Sequence, residues 1–131
     1  MASYYTLVPR PIREFAGLDI VSRCVFGLIY DRWLLSIMPD NVERFSDSCG
    51  VYCLYSREAM SHEVGVSLPT LRRALKELEK RGLVHSRVAC NGDPVRYYVS
   101  RIALQSMDDP HISLLPPYHL NPEWWHEHAK E

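Results

Sequence analysis

Residues 56–100 read SREAMSHEVGVSLPTLRRALKELEKRGLVHSRVACNGDPVRYYVS and carry the clearest structural signals of the chain. Ser56 can cap a short helix over residues 57–64, and Gly65 opens the tight turn that follows it. Ser67 can cap a second, longer helix, in which a proline is tolerated in the first turn. Two helices joined by a short turn that contains glycine, the second of them longer, are typical of a helix-turn-helix.

The second helix and the residues after it extend this motif. Its apolar residues recur at offsets of three and four, so the helix is expected to bury one face: Leu71, Ala74, Leu75 and Leu78. Gly82 lies where a left-handed C-terminal cap is expected. Residues 83–90 and 95–100 alternate in hydrophobicity on either side of Asn91-Gly92, which is a strong hairpin signal. A helix-turn-helix that runs directly into a β-hairpin predicts a winged helix.

The N-terminal half supplies the rest of the predicted fold. Asp19 can cap an apolar helix that ends near Met38, because Pro39 disfavours helical geometry in the residue before it. Residues 39–50 are rich in turn-forming residues and predict a loop. Residues 51–55 predict a short strand, which would be the third strand of a small sheet. The sequence therefore predicts an α+β fold, a winged helix-turn-helix with a three-stranded antiparallel sheet.

The charges are unevenly distributed along the 131 residues, whose net charge is −1. Residues 56–101 carry nine basic and five acidic side chains, whereas residues 102–131 carry one basic and five acidic side chains. We therefore expect a winged-helix domain over residues 1–101 and an acidic extension over residues 102–131 that packs on the domain or on a partner subunit. The basic middle predicts either a face for a polyanion or an ordinary solvated helix surface.

Several classes of protein are disfavoured by what the sequence lacks. The longest apolar run, residues 24–30, is far shorter than the roughly 20 residues of a membrane-spanning helix, so we expect no membrane association. The few scattered cysteines and the lack of a secretory pattern favour a cytoplasmic protein with reduced thiols. The spacing of Cys49, Cys53, Cys90 and His85 is poor for zinc, so we expect no metal. No phosphate loop, carboxylate pair or nucleophile motif is visible, so we expect neither catalysis nor a cofactor.

The exposed face of the second helix is the predicted binding site for double-stranded DNA. The major groove admits an α-helix, whose N-terminal half normally touches base edges. Thr70 and Arg73 lie best for base contacts, whereas Arg72 and Lys76 lie closer to phosphate oxygens. Ser67 and the free amides of the helix N-terminus can receive a further phosphate. The alternative is an ordinary solvated face with surface charge pairing.

The hairpin supplies a second predicted contact with DNA. Arg87 and Arg96 flank the Asn91-Gly92 tip, from which a wing reaches the adjacent backbone or the minor groove. The alternative is that both are exposed strand positions, where arginine is common.

Three segments of the chain resemble a known family. They are IYDRWLLS at residues 29–36, GVYCLYS at residues 50–56 and LRRALKELEKRGLV at residues 71–84. Together they resemble the N-terminal domain of the replication initiator protein A family, which occurs on plasmids and related mobile elements of low-GC Gram-positive bacteria. The resemblance implies a winged helix that binds repeated sites at a replication origin, usually as a homodimer, and begins the assembly of replication proteins.

The chain departs from this family in two ways, and other functions stay open. The wing at residues 91–98 matches only loosely, and family members usually carry a further C-terminal domain whereas this chain ends at Glu131. The chain is therefore either a fragment or a stand-alone binder. One alternative function is a winged-helix transcriptional repressor that binds a promoter palindrome. Another is a winged helix used for protein contact, consistent with an acidic tail that carries Trp124 and Trp125.

Overall fold

The computed structural model describes residues 17–107 and 109–110, and its first element is a central helix. Helix α1 spans Ile20–Ser36 and is capped by Asp19, whose carboxylate accepts a hydrogen bond of 2.7 Å from the amide of Ser22. Both sides of this helix are apolar, and residues 24–29 are buried on every side, whereas Ile20, Asp31, Arg32 and Leu35 are exposed. Its Trp33 is fully buried and donates from Nε1 to the carbonyl of Val51 at 3.0 Å. The predicted cap and central position are confirmed.

The segment after α1 contains more structure than the predicted loop over residues 39–50. Strands β1, Ser46–Asp47, and β2, Gly50–Val51, form a short antiparallel hairpin. Phe45 and Tyr52 flank the hairpin, and the amide of Tyr52 donates to the carbonyl of Phe45 at 2.9 Å. The prediction was wrong for residues 46–47 and 50, because it weighed the local turn formers, whereas aromatic contacts among Phe45, Tyr52 and Tyr98 help to fix the backbone here.

The helix-turn-helix forms where the sequence predicts it. Helix α2 spans Arg57–Val64 and is capped by Ser56, whose hydroxyl accepts from the amide of Ala59 at 3.1 Å. Gly65 ends it in the left-handed region at φ +80°. Helix α3 spans Leu68–Lys80 and is capped by Ser67. Both helix starts are therefore specified by serines in the local sequence.

The C-terminus of α3 is closed by the expected glycine. Gly82 adopts φ +72° and donates to the carbonyl of Glu79 at 3.0 Å, while Leu83 donates to the carbonyl of Leu78 at 3.0 Å. These paired bonds satisfy carbonyls that the end of a helix would otherwise leave open. The chain is thereby turned directly into the next strand.

Three strands form the small antiparallel sheet. They are β3, Cys53–Leu54, β4, Val84–Arg87, and β5, Arg96–Val99, and their order in the sheet is β3-β5-β4. The predicted α+β fold, a winged helix-turn-helix with a three-stranded sheet, is confirmed. The third strand is shorter than the predicted 51–55, because Val51 pairs within the β1–β2 hairpin instead.

The wing between β4 and β5 is longer than a two-residue turn. Residues 88–95 lie outside the strands, and the amide of Asp93 donates to the carbonyl of Cys90 at 3.0 Å across the tip. Gly92 adopts φ +90° there, a conformation that favours glycine. The Asn91-Gly92 signal therefore marks the tip correctly, but the strands end earlier than their alternating pattern predicts.

A last helix closes the described part of the chain. Helix α4 spans Arg101–Ser106, is capped by Ser100 and buries Ala103 and Leu104 fully in the core. It thus spans the boundary expected after Arg101. The rest of the expected extension, residues 111–131, lies outside the described residues, including both tail tryptophans. Within the described part, no helix is both long enough and apolar enough to cross a bilayer.

Candidate nucleic-acid interface

Helix α3 has one buried face and one exposed cationic face. The buried residues are the four that the sequence predicts: Leu71, Ala74, Leu75 and Leu78. They pack in the core against α1, which fixes how far the helix protrudes. Arg72, Arg73 and Lys76 are exposed on the other side. The packing of the stripe therefore leaves the predicted DNA-binding side chains free to meet a partner surface.

A hydrogen-bonded chain links the polar groups at the start of α3. The hydroxyl of Ser67 accepts from the amide of Thr70 at 3.4 Å and lies 3.0 Å from Thr70 Oγ1. Arg73 donates from Nη2 to the same Thr70 Oγ1 at 3.3 Å. Successive turns of the helix thus align a cap, a hydroxyl and a guanidinium on one side. Such a row combines a phosphate-binding helix start with donors for base edges.

An acidic group lies near this row. Hydrogen bonds from the backbone and side chain of Ser22 hold the pKa of Asp19 below its ordinary value, and the charge of Arg73 acts in the same direction. The carboxylate of Asp19, at the N-terminus of α1, therefore partly offsets the positive charge of Arg73.

The two predicted wing arginines are occupied within the domain. Arg87 and Arg96 are directly opposite each other in β4 and β5 and are half-buried. Arg96 Nη1 lies 2.6 Å from Asp47 Oδ2, and its guanidinium lies 4.4 Å from the ring centroid of Tyr52. Arg87 donates from Nη1 to Cys49 Sγ. Both side chains thus hold the β1–β2 hairpin to the sheet and are not grouped with the α3 residues.

Asp47 is the centre of this second cluster. Tyr98 donates to Asp47 Oδ2 at 2.5 Å, and the amide of Cys49 donates to Oδ1 at 2.8 Å. Burial raises the pKa of Asp47, but the hydrogen bonds from Tyr98, Arg96 and the Cys49 amide outweigh it, so the pKa lies below its ordinary value. The cluster is therefore an ionised anchor whose charge is matched inside the fold.

An open groove of about 550 Å³ lies beside the start of α3. Three arginines from three different helices line it, Arg32 of α1, Arg57 of α2 and Arg72 of α3, and wing residues 93–95 line it too. Of these three arginines, only Arg72 is among the DNA-binding residues that the sequence predicts. The position of Arg57 directly after the Ser56 cap could have drawn attention to it. Nothing local identifies Arg32, because its place in the groove depends on how α1 packs.

The cysteines considered as zinc ligands lie in different surroundings. Cys49 and Cys53 are buried, whereas Cys90 is exposed on the wing. Burial raises the pKa of Cys53 to about 12, and its thiol donates weakly to the carbonyl of Ile29. Within the residues that the structure describes, no three His, Cys, Asp or Glu side chains are grouped to hold a metal ion.

Comparison with known proteins finds structural relatives but no sequence family. No protein-family model matches the chain, and no curated protein matches it. A solved chain described as "N-Terminal domain of DNA binding protein" aligns with a TM-score of 0.54 and 21% identity, over 68% of this chain and 66% of that chain. This chain thus spans just under two thirds of that relative.

A second solved structure covers more of both chains. It is described as "Structure of Rep-DNA complex" and aligns with a TM-score of 0.53 and 18% identity, over 77% of this chain and 82% of that chain. At these identities the likeness establishes the fold. Both structures are consistent with the resemblance to an initiator N-terminal domain that the sequence carries.

Proposed function

We propose that this chain binds double-stranded DNA sequence-specifically through α3, as the DNA-binding domain of a plasmid or mobile-element replication initiator. The observation that carries the proposal is the row of Ser67, Thr70 and Arg73 at the start of α3, on a helix whose opposite face packs in the core. Ser67 and Arg73 are exposed and Thr70 is half-buried, and the exposed side chains of Arg72 and Lys76 flank the row. A helix held in this way can enter the major groove as a rigid element.

Each residue of the row has a proposed role. Arg73 and Thr70 contact base edges, because arginine can bond guanine through two donors and threonine can touch a thymine methyl group. Arg72, Lys76 and Ser67 contact phosphates, which fix the register of the helix on the duplex. We propose no catalytic role and no cofactor for these residues.

The initiator role rests on the sequence resemblance together with the two structural relatives. One relative is described as a complex of Rep with DNA, and the IYDRWLLS and GVYCLYS segments resemble the initiator family. We accordingly propose repeated origin sites as the target, a homodimer as the binding form, and the bacterial cytoplasm as the location. Replication proteins would be recruited after binding.

Arg87 and Arg96 have a structural role in this proposal. Asp47 and Cys49 already engage their guanidiniums, and the only charged side chain among wing residues 88–95 is Asp93. We propose that neither arginine is a principal contact with DNA, because Asp47 already matches the charge of Arg96 and Cys49 engages Arg87. In this proposal the wing mainly forms one side of the groove that lies next to α3.

Selection of bound sequences from a pool of random duplexes tests the proposal. We expect a consensus site that recurs as direct repeats in selected sequences long enough to hold two sites. A single palindrome would instead favour a promoter-binding repressor. Recovery of no consensus, with no duplex bound at low salt, would leave the protein-contact function as the better account.

A further inference from the structure

We infer that the groove between the helix-turn-helix and the wing is a second phosphate site, which holds the DNA backbone beside the groove that α3 enters. This inference rests on the proposed function and assigns contacts to Arg32 and Arg57 in addition to Arg72. The groove residues belong to α1, to the end of β3 and the segment that follows it, to the starts of α2 and α3, and to the wing.

The positive charge of the groove is largely unmatched. Among the described residues, Arg32, Arg57 and Arg72 form no ion pair with a carboxylate. Two acids, Glu58 and Asp93, also line the groove, so its three guanidiniums remain in excess. Three guanidiniums that line one groove without a carboxylate partner repel one another and would be stabilised by an anion.

Arg32 is held in a fixed orientation. Its Nη1 donates to the carbonyl of Leu54 at 3.1 Å, and its guanidinium lies 3.7 Å from the ring centroid of Tyr55. Stacking of this kind fixes the plane of the guanidinium and leaves most of its five donors available. A side chain that is already ordered loses less entropy when it binds a phosphate.

The start of α2 adds to the attraction for a phosphate. Arg57 and Glu58, the first two residues of α2, line the groove, and the Ser56 hydroxyl accepts only from the amide of Ala59 in this turn. The first amides of a helix have no partner within the helix and carry partial positive charge. Arg57 therefore lies where side-chain and backbone donors act together.

The position of the groove next to α3 is the reason to propose a DNA backbone as its ligand. Arg72 belongs both to the groove and to the cationic face of α3, so the two surfaces are continuous. A duplex whose major groove receives α3 has a phosphate strand along each side of the helix. The groove, with the wing as its far wall, is open to one of these strands.

The test measures the affinity and salt dependence of the full chain for a selected duplex and for a scrambled duplex of equal length. We expect Arg57→Gln to weaken both duplexes by a similar factor, roughly fivefold to tenfold at about 0.1 M salt, and to make the salt slope shallower by about one. Arg57→Lys should restore most of the affinity. Lys80→Ala, which removes one charge at the far end of α3, is the matched control and should change little.

The other results overturn the inference in distinguishable ways. If the wild type binds the selected duplex and Arg57→Gln behaves like Lys80→Ala, the groove inference is wrong while the proposed function stands. The same holds if Arg57→Gln weakens only the selected duplex, or if inorganic phosphate occupies the groove while Arg57→Gln leaves duplex affinity unchanged. If the wild type binds no duplex, the proposed function itself fails. Thermal unfolding of each variant confirms that it is folded.

Discussion

Arg73 donates a hydrogen bond from Nη2 to Oγ1 of Thr70, at 3.3 Å, across one turn of helix α3. The same Oγ1 lies 3.0 Å from the hydroxyl of Ser67, so the cap of the helix and the guanidinium of Arg73 are connected through one threonine. The bond to Arg73 is long and uses one of five guanidinium donors. It orients the side chain before binding and leaves it able to bond a base.

Arg73→Ala should weaken binding to the selected site by about 1–3 kcal/mol and relax base preference at one position. The reason is the loss of two parallel donors to a guanine edge. Competition binding against duplexes substituted at each position measures this. Arg73→Lys keeps the positive charge but not the two parallel donors of the guanidinium. Compared with Arg73→Ala, it should therefore regain more affinity for random duplexes than for the selected site. An equal loss of affinity for all duplexes would instead indicate that Arg73 contacts a phosphate and not a base.

Lys76→Ala should weaken all duplexes alike and make the salt slope shallower by about one, because a lysine that meets a phosphate releases counterions without reading sequence. Titration of binding against salt concentration provides the measurement. Lys80→Ala serves as the control on the same helix. A loss concentrated on the selected site would assign Lys76 to base recognition instead.

Ser67→Asp should separate folding from binding. Aspartate is as good an N-cap as serine, so the free energy of unfolding should change by less than about 0.5 kcal/mol. Its charge would repel a phosphate at the helix start, so DNA affinity should fall. Ser67→Ala should do the opposite, costing about 1 kcal/mol of stability with a smaller effect on binding. Urea unfolding and duplex titration of both variants provide the measurements. If Ser67→Asp bound DNA like the wild type, the phosphate contact assigned to the start of α3 would be wrong.

Asp47→Asn should lower the stability at neutral pH by about 1–3 kcal/mol, because the ionised carboxylate accepts bonds from Arg96 and Tyr98. The pKa of Asp47 is lowered in the fold from its ordinary value of 3.8. Its contribution is therefore present above that value and is lost as pH falls through the lowered pKa. Urea unfolding over a series of pH values should show a flatter acid limb for the variant.

The exposed acid Asp40 provides the control for that experiment, since Asp40→Asn removes a carboxylate outside the cluster. If Asp47→Asn and Asp40→Asn gave the same acid limb, the Asp47 anchor would have no energetic role. DNA binding by folded Asp47→Asn at neutral pH should be close to that of the wild type, because the hydrogen-bond partners of Asp47, which are Cys49, Arg96 and Tyr98, lie outside α3.

A dimer is expected on DNA, because one recognition helix buries little area and repeated or palindromic sites present two half-sites. Light scattering of the complex with a duplex that carries two sites should give two chains per duplex. A duplex with one site destroyed should bind with clearly lower affinity if the chains cooperate. One chain on either duplex, with equal affinity per site, would exclude cooperative dimer binding.

The helix-turn-helix could be predicted because its signals are local. Ser56, Ser67 and Gly82 each act within a few residues of themselves, and the apolar stripe of α3 has a single period. The exposed face of α3 could be predicted as well, because it consists of the positions that lie outside this apolar stripe. These features are therefore readable before any tertiary contact is known.

The wing arginines and the groove could not be predicted in the same way. Arg96 is bound by Asp47, and the two are far apart in sequence. That pairing depends on the β1–β2 hairpin, and the turn-forming residues of this segment predict a loop where the hairpin forms. Arg32 enters the groove through a bond to the carbonyl of Leu54 on another element. Such contacts are set by packing between segments, and residue type alone does not reveal them.

Mapping the amide chemical shifts of the full chain as the selected duplex is added tests whether α3 is the element that enters DNA. If α3 enters the duplex, the largest changes should fall on Ser67, Thr70, Arg73 and Lys76, with smaller changes at Arg57 and in the wing. Changes confined to α1 or α4, with the amides of α3 unaffected at saturation, would show that α3 is not the element that enters the duplex.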